Sequence, residues 1–211
     1  MKRVVSLLRQ DGIIPVLDGV FSRARSHFIS QRWGYSPGFV MGYSTQWLGG
    51  KSIRVGSNFR IGKRGRVEMI HEHNGRVYIP ALSFGENVSI NDDVHIACAF
   101  NITIGNDVLM ASKIFISDHN HGMYVGDNSD TPNTPPGKRF LNGAPISIGD
   151  RVWLGEMVSI LPGVTIGAGA IIGSNSVVTQ DIPENCIAVG TPARVIKRFV
   201  SEHGEWLRVS D

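Results

Sequence analysis

Taking every sixth residue from Phe84 gives Phe84, Ile90 and Ile96, then, after a shift of two, Ile104, Met110 and Ile116, and from Ile148 onward Leu154, Ile160, Ile166, Ile172 and Val178. All twelve are apolar in a chain that is 42% apolar, a coincidence expected by chance about once in 30,000 trials before allowing for choice of register. Glycine follows directly at Gly85, Gly105, Gly149, Gly155, Gly167 and Gly173, with Ala97 and Ala111 in equivalent places. Four positions after the first set stands a second compact or branched one, including Val88, Val94, Val108, Ile114, Val152, Val158, Val164 and Ile182. A period of six fits neither a helix of 3.6 residues per turn nor a long strand. It fits a chain that makes a short extended segment, turns a corner and repeats, so that three sides close a coil of about 18 residues stacked about 4.8 Å above the last. The first apolar residue of each hexad then points inward, and the small residue beside it is expected to permit the corner.

Val55, Ile61 and Val67 carry the same period with Gly56 and Gly62, which predicts a first partial coil. Residues 1–50 are read as a separate basic leader or cap, residues 51–198 as the repeat domain and 199–211 as a C-terminal helix, part of an amphipathic stretch from Val195 to Leu207 that caps the solenoid end. Within the leader, Val4, Leu7 and Leu8 share one face of a short basic helix, and Gly12, Pro15, Gly34 and Pro37 interrupt the rest of the segment. Between Ile116 and Ile148 the period stops, and a Pro- and Gly-rich excursion over 118–145 leaves the coil. Long ordered loops on rigid scaffolds are commonly functional.

Composition narrows the class. With 211 residues and only 18% charged residues the chain is a globular domain, not a disordered tail, and it has no uninterrupted apolar run of spanning length. Arg9, Gln10 and Asp11 cut short the apolar opening that a secretory leader needs, so a cytoplasmic protein is expected. Cys98 and Cys186 are too few for a disulfide framework and lack metal-ligand spacing. The net charge of +3 hides an asymmetry: residues 1–66 hold twelve Lys or Arg against Asp11 and Asp18, a balance of +10, and the remainder carries −7. Such a basic third suits anionic lipid head groups or nucleotides. Nucleic acid is disfavoured, because no aromatic interleaving or known binding module accompanies the charge.

The segments Ile148–Arg198 (IGDRVWLGEMVSILPGVTIGAGAIIGSNSVVTQDIPENCIAVGTPARVIKR) and Asn106–Gly122 (NDVLMASKIFISDHNHG) closely resemble the hexapeptide-repeat acyltransferases, nearest to the branch that O-acetylates sugars of lipopolysaccharide, capsule or exopolysaccharide. The likeness runs from about Phe84 to Phe199. It implies an all-β, left-handed parallel β-helix, a homotrimer and acetyl-CoA held between neighbouring subunits, with a sugar or lipid-linked saccharide as acceptor and no metal, while the basic N-terminal region itself suggests a cap or contact with the inner membrane face. In the family the catalytic histidine lies five residues after an inward aliphatic residue and ten after a small cofactor-contacting residue. His121 meets both spacings, from Ile116 and Ala111, and is expected to be the general base; His119 and Asp118 orient it or the substrate. Histidine suits this task because its ordinary pKa leaves it largely neutral near pH 7. The resemblance further places Trp153 near the acceptor and the pantetheine arm, Asn101 toward the acceptor, and Ala111, Ser174, Thr179, Arg194 and Lys197 on the cofactor, the last two on its phosphates. Gln180 departs from the lysine many members carry there and removes one phosphate partner.

Three other readings compete. An N-acetyltransferase of an amino-sugar nucleotide would use the same histidine and cofactor. A zinc carbonic anhydrase on the same prism would take His95, His119 and His121 as ligands, but the Pro-rich excursion, Trp-Leu-Gly and Thr-Pro-Ala-Arg fit the acyltransferase better. A noncatalytic scaffold has no need of a His-bearing loop.

Overall fold

A computed structural model describes residues 13–127 and 129–209. The repeat folds into a left-handed parallel β-helix, a triangular prism whose three faces are sheets of nine, six and five strands, all parallel except the last two of the nine-stranded one, which pair antiparallel. Registers follow the hexads. On one face Ile61, Ile90, Met110, Leu154 and Ile172 stack; on the second Val67, Ile96, Ile116, Ile160 and Val178; on the third Val55, Phe84, Ile104, Ile148 and Ile166. Almost all of these side chains are fully buried. At about 25 cal/mol per Å2 each inward Ile contributes on the order of 2 kcal/mol.

The glycines beside the inward residues serve a purpose other than the expected one. None of Gly85, Gly105, Gly149, Gly155, Gly167 and Gly173 has positive φ; the left-handed residue stands two places later, at Asn87, Asp107, Arg151, Met157, Gly169 and Asn175. A Cβ on Gly167 would lie 2.3 Å from the backbone nitrogen of Glu184, and one on Gly155 2.7 Å from that of Ser174. The glycines let successive coils approach, and the corner itself turns on the residue after next, often Asn or Asp, which tolerate that conformation.

The prism also begins earlier than residue 51. Val40–Met41 pairs with Arg60–Ile61, and Gln46–Leu48 pairs with Arg66–Met69, so two further sides precede Val55 and complete a first coil with it. Its inward residues include Met41, Trp47 and Ile53 at six-residue spacing, and Phe39, Trp47, Phe59 and Phe84 form an aromatic cluster at this end. The helix Ile13–Trp33 caps the open edge, with Pro15 in its first turn and Gly34 at its end. The Ser26 hydroxyl receives the edge-strand amide of Met41 at 2.8 Å, and the Arg25 guanidinium donates to Thr45 O at 3.1 Å. The short basic helix expected around Val4, Leu7 and Leu8 lies outside the described residues.

At the other end the described residues form strands in place of the expected helix. Ala193–Val200 runs antiparallel to Cys186–Gly190 and to Glu205–Arg208. Val195, Lys197 and Phe199 turn partly inward while Arg194, Ile196 and Arg198 face solvent, the period of two that a strand requires. Phe199 meets Trp206 edge-on at 5.4 Å, and Gly204 supplies the left-handed turn. The role remains that of a cap over the last coil; β-branched and aromatic residues make it a hairpin.

All length variation collects at one corner, where the six-stranded face passes to the five-stranded one. Ile148 pairs with Ile166, eighteen residues on, whereas Phe84 pairs with Ile104, twenty on, Val55 with Phe84 and Ile104 with Ile148. The extra residues are the pair Ala99–Phe100, a hairpin with strands Glu72–His73 and Arg76–Val77, and the excursion of 118–145. Tyr78, Ala99 and Leu141, with Ile70 and Phe100, form a small apolar cluster that seats these insertions.

Replacing Ile166 by Asp buries an unpaired carboxylate in the ladder and is expected to cost several kcal/mol, enough to abolish the cooperative unfolding transition of this coil. Thr103→Lys, on the outward face of the same sheet, is expected to stay within about 0.5 kcal/mol. Chemical denaturation followed by circular dichroism checks both.

Candidate active site

Asp118 is the first residue of the excursion and is completely buried. Its Oδ1 accepts the amide of Ala99 at 2.8 Å and its Oδ2 the amide of Phe100 at 2.8 Å, so the two-residue insertion of the coil beneath is what receives the carboxylate. Oδ1 also meets His119 Nδ1 at 2.9 Å. A carboxylate in this position accepts, so Nδ1 carries the proton and Nε2 keeps its lone pair. The His119 side chain is only 8% exposed. Its backbone is fixed by the pairing of His119–His121 with Leu141–Gly143, which closes the base of the excursion. Gly143 is obligatory there, because a Cβ would fall within bonding reach of Asp118 O.

His121 stands two residues on in the same strand but is exposed, and its ring meets that of His73 edge-on at 5.1 Å. Partial burial, and then the neighbouring His73 and His119 imidazoles, hold its pKa below the usual 6.5, so it is neutral at pH 7. His73 belongs to the hairpin inserted two coils earlier, which locks onto the excursion: His73 Nε2 lies 3.1 Å from Arg139 O, Asn74 donates to Gly137 O at 2.8 Å, and the Tyr78 hydroxyl accepts the Leu141 amide at 2.8 Å. Arg139 in turn donates to Thr134 O at 2.7 Å and to the Tyr124 hydroxyl at 2.8 Å.

His119 and His121 both line a cavity of about 440 Å3 on the six-stranded face. Its floor is a column that motif spacing alone does not single out. Arg66, His95 and Phe115 occupy one outward register, directly before the inward Val67, Ile96 and Ile116, so the six-residue frame already places them in a row. Glu68 joins them, its carboxylate accepting from His95 Nε2 at 2.9 Å and from Arg66 at 2.7 Å. His95 lies 5.5 Å from the Phe115 ring. His95 is thereby bonded to a carboxylate, and among the described residues no group of three or more His, Cys, Asp or Glu is placed to hold a metal ion.

The remaining residues singled out from sequence lie elsewhere. Trp153, half exposed, is on the nine-stranded face between Leu109 and Ile171. Ala111 and Ser174 sit at the corner after that face, where the Ser174 hydroxyl accepts the amide of Glu156 at 3.1 Å. Thr179 follows the last strand of the six-stranded face, and Asn101 opens a strand of the third face, exposed. Arg194 and Lys197 line a separate cleft of about 380 Å3 together with Arg208. Lys197 and Arg208 are direct cross-strand partners. Like charges so placed repel, a cost that a bound anion reverses. One chain therefore gathers the histidine site, but it holds the Trp153 and cation groups on different surfaces.

A model of the bacterial transferase hexapeptide (six repeats) family matches residues 145–180. WbbJ of Escherichia coli K12, a candidate lipopolysaccharide-biosynthesis O-acetyl transferase, is 46% identical over 156 residues, 74% of this chain and 76% of that one. The galactoside O-acetyltransferase of the same bacterium is 36% identical over 120 residues, 56% of this chain and 54% of that one. Among solved structures, the N-acyltransferase AntD of Bacillus cereus, in complex with dTDP-4-amino-4,6-dideoxyglucose and coenzyme A, superposes with a TM-score of 0.68 at 18% identity, covering 84% of this chain and 91% of that one.

Burial alone would push the Glu68 carboxyl up, but the hydrogen bonds from His95 and Arg66 outweigh it and hold the group below its usual 4.5. A carboxyl depressed in the folded state stabilises above its unfolded pKa, and that contribution is lost as pH falls through the folded value. Glu68→Gln is therefore expected to melt below the parent protein at pH 7, with the gap closed at an acid pH below the carboxyl's depressed folded range. Thermal melts at both pH values check this; an unchanged gap in acid would mean that the carboxylate acts by packing alone.

Proposed function

Because the chain belongs to the hexapeptide-repeat acetyltransferases, which draw their acyl group from acetyl-CoA, we propose that it transfers acetyl to a hydroxyl of a sugar in a surface polysaccharide or its precursor, with His119 as the general base. The observation that carries the choice of residue is the Asp118–His119 pair. A base must keep a fixed tautomer and a free lone pair, and of the two histidines only His119 has a buried carboxylate that supplies both. This exchanges the roles expected from spacing, where His121 was the base. His121, neutral and exposed at the rim, borders the acceptor instead.

The reaction needs no covalent enzyme intermediate. His119 Nε2 takes the proton as the sugar oxygen attacks the thioester carbonyl; the tetrahedral adduct collapses, the C–S bond breaks, and the imidazolium returns its proton to the departing thiolate. Asp118 stabilises that imidazolium without itself being protonated. Phe115 offers a ring face to the apolar side of a pyranose, and Glu68 and His95 present hydrogen-bonding groups to its hydroxyls at a distance from the reacting one. Arg194, Lys197 and Arg208 take the phosphates of coenzyme A, and Ala111, Ser174 and Thr179 line the path of its arm, with Trp153 beside the thioester. Since Trp153 and the cations stand on the nine-stranded sheet and the histidine cavity on the six-stranded face, the complete site forms between neighbouring copies of a homotrimer, each supplying one part. The transfer to a hydroxyl is supported by the likeness to WbbJ at 46% identity, and a cytoplasmic protein is the corresponding reading of its location.

Release of free thiol from acetyl-CoA, with candidate surface sugars added singly, tests the reaction, and mild alkali distinguishes its product: an ester loses acetyl, an amide keeps it. His119→Ala is expected to lower turnover about 100- to 10,000-fold with unchanged circular dichroism, and His121→Ala by far less. The reverse ranking would return the base to His121. Phe115→Ala is expected to raise KM for the sugar about tenfold while leaving that for acetyl-CoA unchanged; a rise in both would remove Phe115 from the acceptor subsite.

A further inference from the structure

The helix Ile13–Trp33 uses one side to close the prism. Ser22, Ser26, Ile29 and Trp33 lie on that side, and Ser26 is buried against Met41. At 100° per residue Leu17, Phe21, Ala24 and Phe28 fall within an arc of about 60° on the opposite side, with Val20 at its margin. All of them are exposed, Phe21 at 71% and Phe28 at 68%. An apolar stripe of this kind on a helix whose other face is already packed is surplus to the fold, and large exposed apolar residues in a row mark an interaction surface.

The charges beside the stripe indicate what covers it. Arg32 flanks it on one side and Arg23 and His27 on the other, while the helix carries a single acid, Asp18. Arg25 is tied to the prism through Thr45 O and Gly42 O. At the same end Lys51, Arg54 and Arg60 are exposed, and Lys2, Arg3 and Arg9 precede the helix in sequence. Arg23, Arg32, Lys51, Arg54 and Arg60 thus stand exposed at the end of the prism that carries the stripe. A ridge of Phe and Leu between cations matches a bilayer surface that is apolar just below a layer of phosphates. No helix among the described residues is long and apolar enough to cross a membrane, so this one would lie on the surface.

We propose that the Leu17–Phe21–Phe28 face of the N-terminal helix docks on anionic lipid, holding the prism upright on a membrane with its first coil nearest the bilayer. This goes beyond the acetyl-transfer reading and does not depend on it. In a three-fold assembly symmetry puts three such helices at one level along the axis, and three weak contacts then act together.

The test is co-sedimentation of the full-length protein with vesicles of phosphatidylcholine alone and of phosphatidylcholine with about 30% phosphatidylglycerol. Binding is expected to the anionic vesicles only and to weaken with added salt. The double variant Phe21→Ser/Phe28→Ser, altered only at solvent-facing positions, is expected to keep its melting temperature and assembly size while binding falls at least about tenfold. No binding by the parent protein to the anionic vesicles, or undiminished binding by the variant, overturns the proposal. A smaller assembly for the variant in light scattering overturns it too, and assigns the stripe to a second copy of the chain.

Discussion

Backbone hydrogen bonding between successive coils sets a fixed rise, and every other feature of this molecule inherits that constraint. Inward side chains must stack on their own kind, which explains the ladders of Ile, Val and Leu. Outward side chains must form columns as well, whether or not they contribute to stability. Arg66, His95 and Phe115 stand in line for that reason, and the cavity floor is therefore as rigid as the ladder behind it. A column of fixed spacing is well suited to a substrate that is itself rigid, since little freedom is lost on either side when they meet.

The buried carboxylate of Asp118 is the point at which this regularity meets the proposed chemistry. It closes a two-residue irregularity in the coil below, through Ala99 and Phe100, and with the same Oδ1 fixes the ring of His119. A fully buried carboxylate is costly unless its oxygens are hydrogen-bonded, and here two amides and an imidazole engage both of them. The same group raises the pKa of Cys98, after burial, which keeps that thiol protonated and inert. Structure and reactivity thus share one anchor: the excursion cannot shift at its base without moving the histidine.

Much of the fold was legible in the sequence because the hexad is a strict period. The inward set from Phe84 to Val178 lies where the spacing put it. What escaped was governed by local chemistry. The first coil was hidden by aromatic residues in the place of aliphatic ones, although Met41, Trp47 and Ile53 keep the six-residue step. The C-terminal hairpin resembles a helix in sequence because Val195 to Leu207 is amphipathic at either period, and only the alternation of Arg194, Ile196 and Arg198 separates the two. At the site, His119, His121 and Asp118 were found together, but spacing could not say which histidine the carboxylate would meet, since that depends on a turn made by residues nearly twenty positions earlier. Glu68 and His73 come from coils distant in sequence. The outward register that holds His95 and Phe115 was available from the six-residue frame itself.

Insertions enter the prism at only one of its three edges, so the other two faces keep their register however long the arm at that edge becomes. Modularity follows directly. Residues 70–80 and 122–140 can be exchanged or lengthened while the opposite walls remain untouched, since each added loop leaves and rejoins the coil at the same height. A scaffold of this design can diversify what it recognises without re-engineering the grip on a shared donor molecule, and the edge where its loops emerge is the place to graft a new specificity.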